Sequence, residues 1–361
     1  MDPLTHGLLG GCVAQALYRK KVAGAITVAG ALGAMAPDLD VLIHSKSNPL
    51  LMYEYHRNFT HSLLFIPVGG LIVGILLWLL WRRRPPLAEM LIAATAGYAT
   101  HGLLDACTSY GTLLLWPFSM RRISWDAIFI VDPIYSFVLL LGLGISAFKH
   151  RGGTAIAALL LATSYLGLGA YQHHQALQLQ ARLAESRGQR PEKPRVLPGP
   201  GPHLLWRSIY LAGGKLVVDA LRVGYDGQGQ VWPGGSLPYF AVGTITDGLP
   251  SGSPLARDLK LFDWFTEGFV ARLESTTLDL GDLRFSLLPE GTRPIWGIRV
   301  DPQTPDRHVH RLRFPREGSL PFRAVWEMLQ GRAPGGQKVS QDDDIKRLME
   351  GPSAARLAPA I

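Results

Sequence analysis

The chain has 361 residues, 47% of them hydrophobic and 18% charged, which is enough for two domains. Its net charge is +8, but Arg19, Lys20 and Lys21, then Arg82, Arg83 and Arg84, then Lys149 and Arg151 sit between apolar runs, a pattern of membrane topology that speaks against nucleic-acid binding. Two cysteines, Cys12 and Cys107, exclude a disulfide framework and a cysteine-type zinc site.

In chain order, residues 4–18 and 22–36 are apolar stretches of small residues. Each is short of the ~20 residues a helix needs to cross a bilayer, and the two are expected to act as a pair. The opening Met-Asp-Pro-Leu-Thr-His has no basic region, so no cleavable signal peptide is expected. Pro37 ends the second stretch, and a polar loop follows to residue 60. Residues 62–81, 87–104, 127–148 and 154–171 read as four clear spans. A loop rich in Gly, Trp, Pro and Ser fills 107–126. Short loops rich in Lys and Arg stay in the cytoplasm. That rule places the three basic turns inside, and the polar loops and both termini outside, on the periplasmic face of a bacterial inner membrane.

Beyond the last span, residues 172–187 continue as an amphipathic helix, and residues 191–202 form an extended Pro-rich linker. Residues 204–322 alternate β-prone runs with Gly, Pro and Asp turns. Residues 333–361 read as a mobile tail with a short helix near 343–349. The expected fold class is an α-helical integral membrane domain, with four clear plus two short apolar helices, followed by a small β-rich soluble domain. The expected divisions are 1–175, 176–202, 203–330 and 331–361.

The histidines and aspartates of the first half sort to one side. His6 starts the first segment; Asp38 and Asp40 end the second. His56 and His61 precede the third, and His101 and Asp105 end the fourth. Asp126 and Asp132 flank the start of the fifth, whereas the basic turns hold only His150. His101 and Asp105 are four apart, so one helical turn puts them on a shared face. Imidazole nitrogens and carboxylate oxygens are ligands for zinc and other divalent ions. Ionisable groups at membrane depth are costly and therefore functional candidates. The expected ligands are His6, Asp38, His61, His101 and Asp105, with His56 as a further one. Asp40 and Arg57 are the catalytic candidates; no separate general base is assigned, though an unused aspartate could serve, and Arg57 would steady a substrate anion. Each also has an ordinary use alone: an interfacial histidine, a helix-capping aspartate, an arginine on lipid headgroups. His173 and His174 read as solvated surface, while His308 and His310 share one face of an expected strand and are equally well read as simple surface residues.

The order His6, Pro37-Asp38-Leu39-Asp40, His56-Arg57-x-x-Thr60-His61-Ser62, His101-x-x-x-Asp105 resembles the membrane-bound metal-dependent hydrolase family, grouped with YdjM-like inner-membrane proteins and with domain of unknown function 457. Thr108-Ser109-Tyr110-Gly111, Trp116-Pro117-Phe118-Ser119 and Val131-Asp132-Pro133 continue the likeness, which covers residues 1–175 densely. It implies a hydrolase class without a substrate. The His-x-x-x-Asp element is also similar to one in the zinc-dependent phospholipase C superfamily, which implies phosphodiester hydrolysis on a lipid-like substrate. The later ligands of those enzymes are absent here, which points to one or two ions, zinc by preference. Membrane lipid and a lipid-like substrate are the expected partners. A non-enzymatic membrane scaffold is the alternative reading. A transporter is disfavoured, because no polar series runs through the bilayer centre.

Overall fold

The computed structural model describes residues 1–18, 24–273, 275–314 and 322–333; most of the expected tail, with the helix near 343–349, lies outside them. The first half is helical. α1 (Pro3–Leu17) starts on Asp2, whose side chain accepts the Thr5 N–H, with Pro3 in its first turn. α2 (Gly24–Met35) runs into a 3₁₀ turn, Ala36–Leu42. There follow α3 (Leu51–Tyr55), α4 (Ile66–Leu80), α5 (Leu87–Ala106), α6 (Pro133–Lys149) and α7 (Gly153–Ser186).

Three described stretches are long and apolar enough to cross a bilayer: Gly24–Leu42, Leu63–Leu80 and Gly153–Ser186. This differs from the four clear spans expected: residues 87–104 fold as α5 but are not among the three, because Glu89, His101 and Asp105 make that helix less apolar. Pro37 does not stop the second stretch, because a 3₁₀ turn accepts it at the start and carries the segment to 19 residues. The fifth expected span begins at Pro133 instead of residue 127, leaving a shorter apolar helix of 17 residues. Asp132 caps it by accepting the Tyr135 N–H. The helix bundle is dressed for lipid: Leu71, Ile72 and Leu76 on α4, Phe137 and Leu140 on α6, and Leu160 and Leu161 on α7 are exposed.

Glycines let three helices meet at backbone distance. A Cβ on Gly97 of α5 would lie 2.0 Å from the Gly30 carbonyl oxygen of α2, and one on Gly10 of α1 would lie 2.3 Å from the same oxygen. Small residues at such crossings are the usual means of close helix packing in lipid. Here they draw the His6 end of α1, the Asp38 end of α2 and the His101 end of α5 together.

α7 has 34 residues, or roughly 51 Å at 1.5 Å per residue. That exceeds a hydrocarbon core of about 30 Å, so its second half stands clear of the apolar layer and carries the first sheet. The expected span and amphipathic extension are one helix. The sheet is an antiparallel meander of β1 (Glu192–Pro198), β2 (Leu205–Ala212), β3 (Lys215–Val223) and β4 (Gly229–Pro238). Ala176, Leu179 and Leu183 of α7 pack on Val196, Trp206 and Leu221. β1 occupies the stretch expected to be a linker. An edge strand with an irregular register between Glu192 and Arg195 tolerates Pro194 and Pro198, which a central strand would not.

After α8 (Gly243–Thr246), α9 (Pro254–Thr266) packs against a second antiparallel meander, β5 (Val270–Arg272), β6 (Leu278–Asp282), β7 (Trp296–Val300) and β8 (His310–Arg313). The short α10 (Phe322–Leu329) lies on the first sheet through Val325 and Met328. The second sheet's core admits two residues of the helical half: Leu50 and Tyr53 are buried in it, and the Tyr53 ring stacks on Trp296 at 4.5 Å.

His203, between β1 and β2, seats the first sheet on α7. Its ring lies 4.1 Å from that of Tyr165, and its Nε2 is buried without a partner. Burial pushes it down to about 4. A histidine lowered below its unfolded value of about 6.5 is held neutral by the fold. Stability is therefore intact above pH 6.5 and declines as the pH falls from there toward 4. His203→Asn keeps a residue that tolerates the backbone φ of +56° and removes the titration. Melting curves between pH 7 and 4 are expected to fall less steeply for the variant; parallel curves would refute this.

Candidate metal centre

Four side chains from three segments converge. Asp38 stands in the 3₁₀ turn after α2, His61 in the short turn Phe59–His61 before α4, and His101 and Asp105 in the last two turns of α5. One donor atom from each lies within 4.8 Å of the others. His101 Nε2 is 2.9 Å from His61 Nε2, 3.4 Å from Asp38 Oδ1 and 3.5 Å from Asp105 Oδ2. His61 Nε2 is 3.6 Å from Asp38 Oδ1 and 3.4 Å from Asp105 Oδ2. Zinc bonds of about 2.0–2.1 Å in a tetrahedron set neighbouring donors roughly 3.3 Å apart, and these separations bracket that value.

The hydrogen bonds behind the two rings decide which nitrogen is free. His101 Nδ1 meets the Ala34 carbonyl, which can only accept, so Nδ1 carries the proton and Nε2 the lone pair. His61 Nδ1 faces Asp40 Oδ2 at 3.2 Å and Thr60 Oγ1 at 3.0 Å, which leaves its Nε2 lone pair pointing at that of His101. Two lone pairs at 2.9 Å need a cation between them. A proton meets that need: burial disfavours charge on His61, but hydrogen bonds to Asp105, Asp38 and Asp40 outweigh it and raise the ring to about 10. A divalent ion meets it with more charge. Asp105 Oδ2, buried and ion-paired with Arg57 Nε, is a further donor facing the same space. The residues present fit a metal.

Asp40 and Arg57 hold the set in place. Asp40 gathers the His56 Nδ1 at 2.7 Å, the Arg57 N–H at 3.0 Å, the Thr60 hydroxyl at 2.9 Å and the His61 ring. It backs His61 as carboxylates commonly back metal-binding imidazoles. Arg57 is buried and places Nε 3.0 Å from Asp105 Oδ2 and donates from Nη1 to Thr108 Oγ1 at 3.0 Å. Its guanidinium lies 4.9 Å from the Tyr110 ring centre. Its φ of +64° lies in the left-handed region that non-glycine residues seldom adopt. The Asp40 carboxylate holds its N–H, and its carbonyl accepts from Leu113.

His6 stacks on His101 at 3.7 Å and sets Nε2 3.2 Å from Asp105 Oδ1, against the four-donor group and outside it. The Met1 amino group also rests on Asp105 Oδ1. His56 joins Asp38 and Asp40 in a second group of potential donors, so Asp38 is common to both. Asp126 and Asp132 lie elsewhere: the first pairs with Arg195, the second caps α6. His308 bonds Asp258. Thr108, Tyr110 and the Ala34 carbonyl support the site without having been singled out for it. The motif containing Thr108 and Tyr110 held a signal for the first two; a backbone carbonyl has none.

Fold and site together define a membrane protein with apolar spanning helices and a buried His/Asp group able to hold a metal at one end of them. The chain belongs to the YdjM inner membrane protein family, which matches residues 1–176. It is similar to the inner membrane protein YbcI of Escherichia coli, 32% identical over 123 residues, covering 33% of this chain and 69% of that protein. YvsG of Bacillus subtilis is 31% identical over 133 residues, or 34% of this chain and 76% of that one. YfhP of the same organism is 27% identical over 161 residues, 43% of this chain; the match spans only about half of YfhP, 48%. No solved structure matches. The likeness to zinc-dependent phospholipase C is not shown by these matches, and both sheets lie beyond the residues matched by the family.

Proposed function

We propose that this protein is a multi-pass inner-membrane hydrolase that depends on a divalent metal, zinc by preference, and cleaves an ester or phosphodiester bond in a lipid-like substrate. The observation that carries the reading is the convergence of Asp38, His61, His101 and Asp105, with both Nε2 lone pairs turned inward. These four would hold the ion, and the Asp38, Asp40 and His56 group could take a second. When bound, such an ion supplies Lewis acidity and makes water nucleophilic near neutral pH. Asp40 fixes His61 and also orients His56 through Nδ1, leaving His56 Nε2 free to carry a proton at the partly open side of the site. Arg57 aligns Asp105.

The orientation we propose puts this centre and the two sheets on the periplasmic face. Arg82–Arg84 follow the end of α4 remote from His61, and Arg151 follows α6 at the end remote from Asp132, in keeping with basic residues on the cytoplasmic side. Single cysteines at Ser45 and Arg83, in a background lacking Cys12 and Cys107, are expected to react oppositely with an impermeant thiol reagent. For activity, detergent-purified protein loaded with zinc is assayed on phosphodiester and lipid-ester substrates. Hydrolysis is expected, reduced to background by chelator and in His101→Ala. A zinc-loaded protein that turns over none of these substrates counts against the reading.

A further inference from the structure

A cavity of about 840 Å³ lies between the loop after α5 and the two sheets, within the range of about 300–1,000 Å³ typical of ligand pockets. Its walls are largely apolar, with Leu197, Phe285, Ile295 and Trp296 among them. Four arginines line it, and no Asp or Glu among the described residues does. Arg284 is neutralised by Asp282 and Glu267. The others have no carboxylate within ion-pair distance among the described residues. Arg207 is buried and donates to the carbonyls of Leu283, Leu288 and Pro289. Arg311 lies 5.3 Å from the Tyr53 ring centre with its Nε buried and unpartnered. Arg313 is two residues further along β8, on the same side of the strand. Arg311 is half-buried and Arg313 exposed, so these two guanidiniums, without a carboxylate partner among the described residues and set beside apolar walls, suit an anion that brings its own apolar body.

Two connections say where that body comes from and where its head lies. Phe129 and Ile130 line the cavity, and Ile130, Val131 and Ile134, at the start of α6, are exposed. This continues the lipid-facing surface. At the other side, Thr108 and Tyr110 line the cavity and touch Arg57, whose Nε faces Asp105. One side chain separates the chamber from the metal centre. Tyr53, under Arg311, also lines it and lies just ahead of His56 and Arg57 in the chain.

We propose that this cavity binds one phosphate-bearing anionic membrane lipid, its acyl chains against the apolar walls and its headgroup at Arg311 and Arg313. That this lipid is the substrate rests on the hydrolase reading; that the site binds it rests on the cavity alone. Neither a soluble anion nor a neutral lipid uses both halves of this chamber.

The test is equilibrium binding of pyrene-labelled phosphatidic acid to the full-length protein in detergent, with chelator present so that no turnover occurs. Pyrene-labelled diacylglycerol is the neutral comparison and inorganic phosphate the competitor. Phosphatidic acid is expected to bind at least tenfold more tightly than diacylglycerol, and Arg311→Gln/Arg313→Gln to remove that preference. Leu287→Trp, at a half-open wall position, is expected to weaken both lipids. Equal binding of the two lipids, an unchanged preference in the double variant, or full displacement by inorganic phosphate would each overturn the proposal. Binding as described without any hydrolysis after zinc loading would leave the lipid site standing and remove the hydrolase reading. Hydrolysis with binding indifferent to the arginines would do the reverse.

Discussion

Replacing His101 with alanine is expected to take the purified protein from at least one bound divalent ion per chain to none. The ring supplies one of four donors, and its loss leaves Asp38, His61 and Asp105 with an open side. Asp105→Ala is expected to do the same, and to strand the Arg57 guanidinium, which is buried against it. The more discriminating variant is Asp40→Asn. Asp40 is outside the four-donor group, yet its carboxylate receives His56, Arg57, Thr60 and His61. An amide of the same shape has only one accepting oxygen. Partners that orient metal-bound imidazoles are typically worth 10–100-fold in metal affinity, so Asp40→Asn is expected to weaken zinc by about that factor while keeping its stoichiometry. Metal analysis and competition with a chromogenic chelator read both quantities. An ion retained in both His101→Ala and Asp105→Ala would show that the metal sits elsewhere.

Arg195→Met is expected to loosen the sheets from the helical half and to cost about 3–5 kcal/mol, the usual penalty for stranding one member of a buried ion pair. Arg195 lies on β1 and reaches across the junction. It holds Asp126 through Nε at 3.0 Å and Nη2 at 3.1 Å, Glu267 through Nη1 at 3.1 Å, and the Ser109 carbonyl and Ser124 hydroxyl at 3.0 and 2.9 Å. Burial works against its charge, but Asp126 and Glu267 more than compensate and hold the guanidinium above its ordinary value. Met fills the stem's volume and leaves Asp126 buried and unpaired. The apparent melting temperature is expected to drop by roughly 6–20 °C, taking about 2–4 °C per kcal/mol. Adding Asp126→Asn is expected to restore part of the loss, because the stranded charge is then gone. A single variant that melts with the wild type would show that the junction does not depend on this contact.

Some of this architecture was open to reading along the chain because the cause is local. The four-residue spacing of His101 and Asp105 fixes their shared face once the segment is helical, and the one-sided placement of His6, Asp38, His56 and His61 announced that helix ends would meet. The runs that became β2, β3, β5, β7 and β8 were likewise visible as alternations between turns, whereas β6 was not read as a strand. α9 was missed although Ser253 and Pro254 form an ordinary helix start; the signal was there. β1 was not legible in a Pro-rich stretch, because only an edge position makes those prolines tolerable.

The sequence by itself determined which residue types would stand at the ends of the apolar segments, since hydropathy and helical spacing depend on near neighbours alone. Only the tertiary structure decided their division of labour. Asp38 faces the donors while Asp40, two residues on, supports His56 and His61 from behind; Arg57 turns to Asp105; His6 stacks beside the group. It also decided that Arg195 finds Asp126, 69 residues away. Such pairings follow from how closely α1, α2 and α5 approach and how α7 carries the first sheet over them, and those distances are set by packing between parts of the chain that share no local pattern.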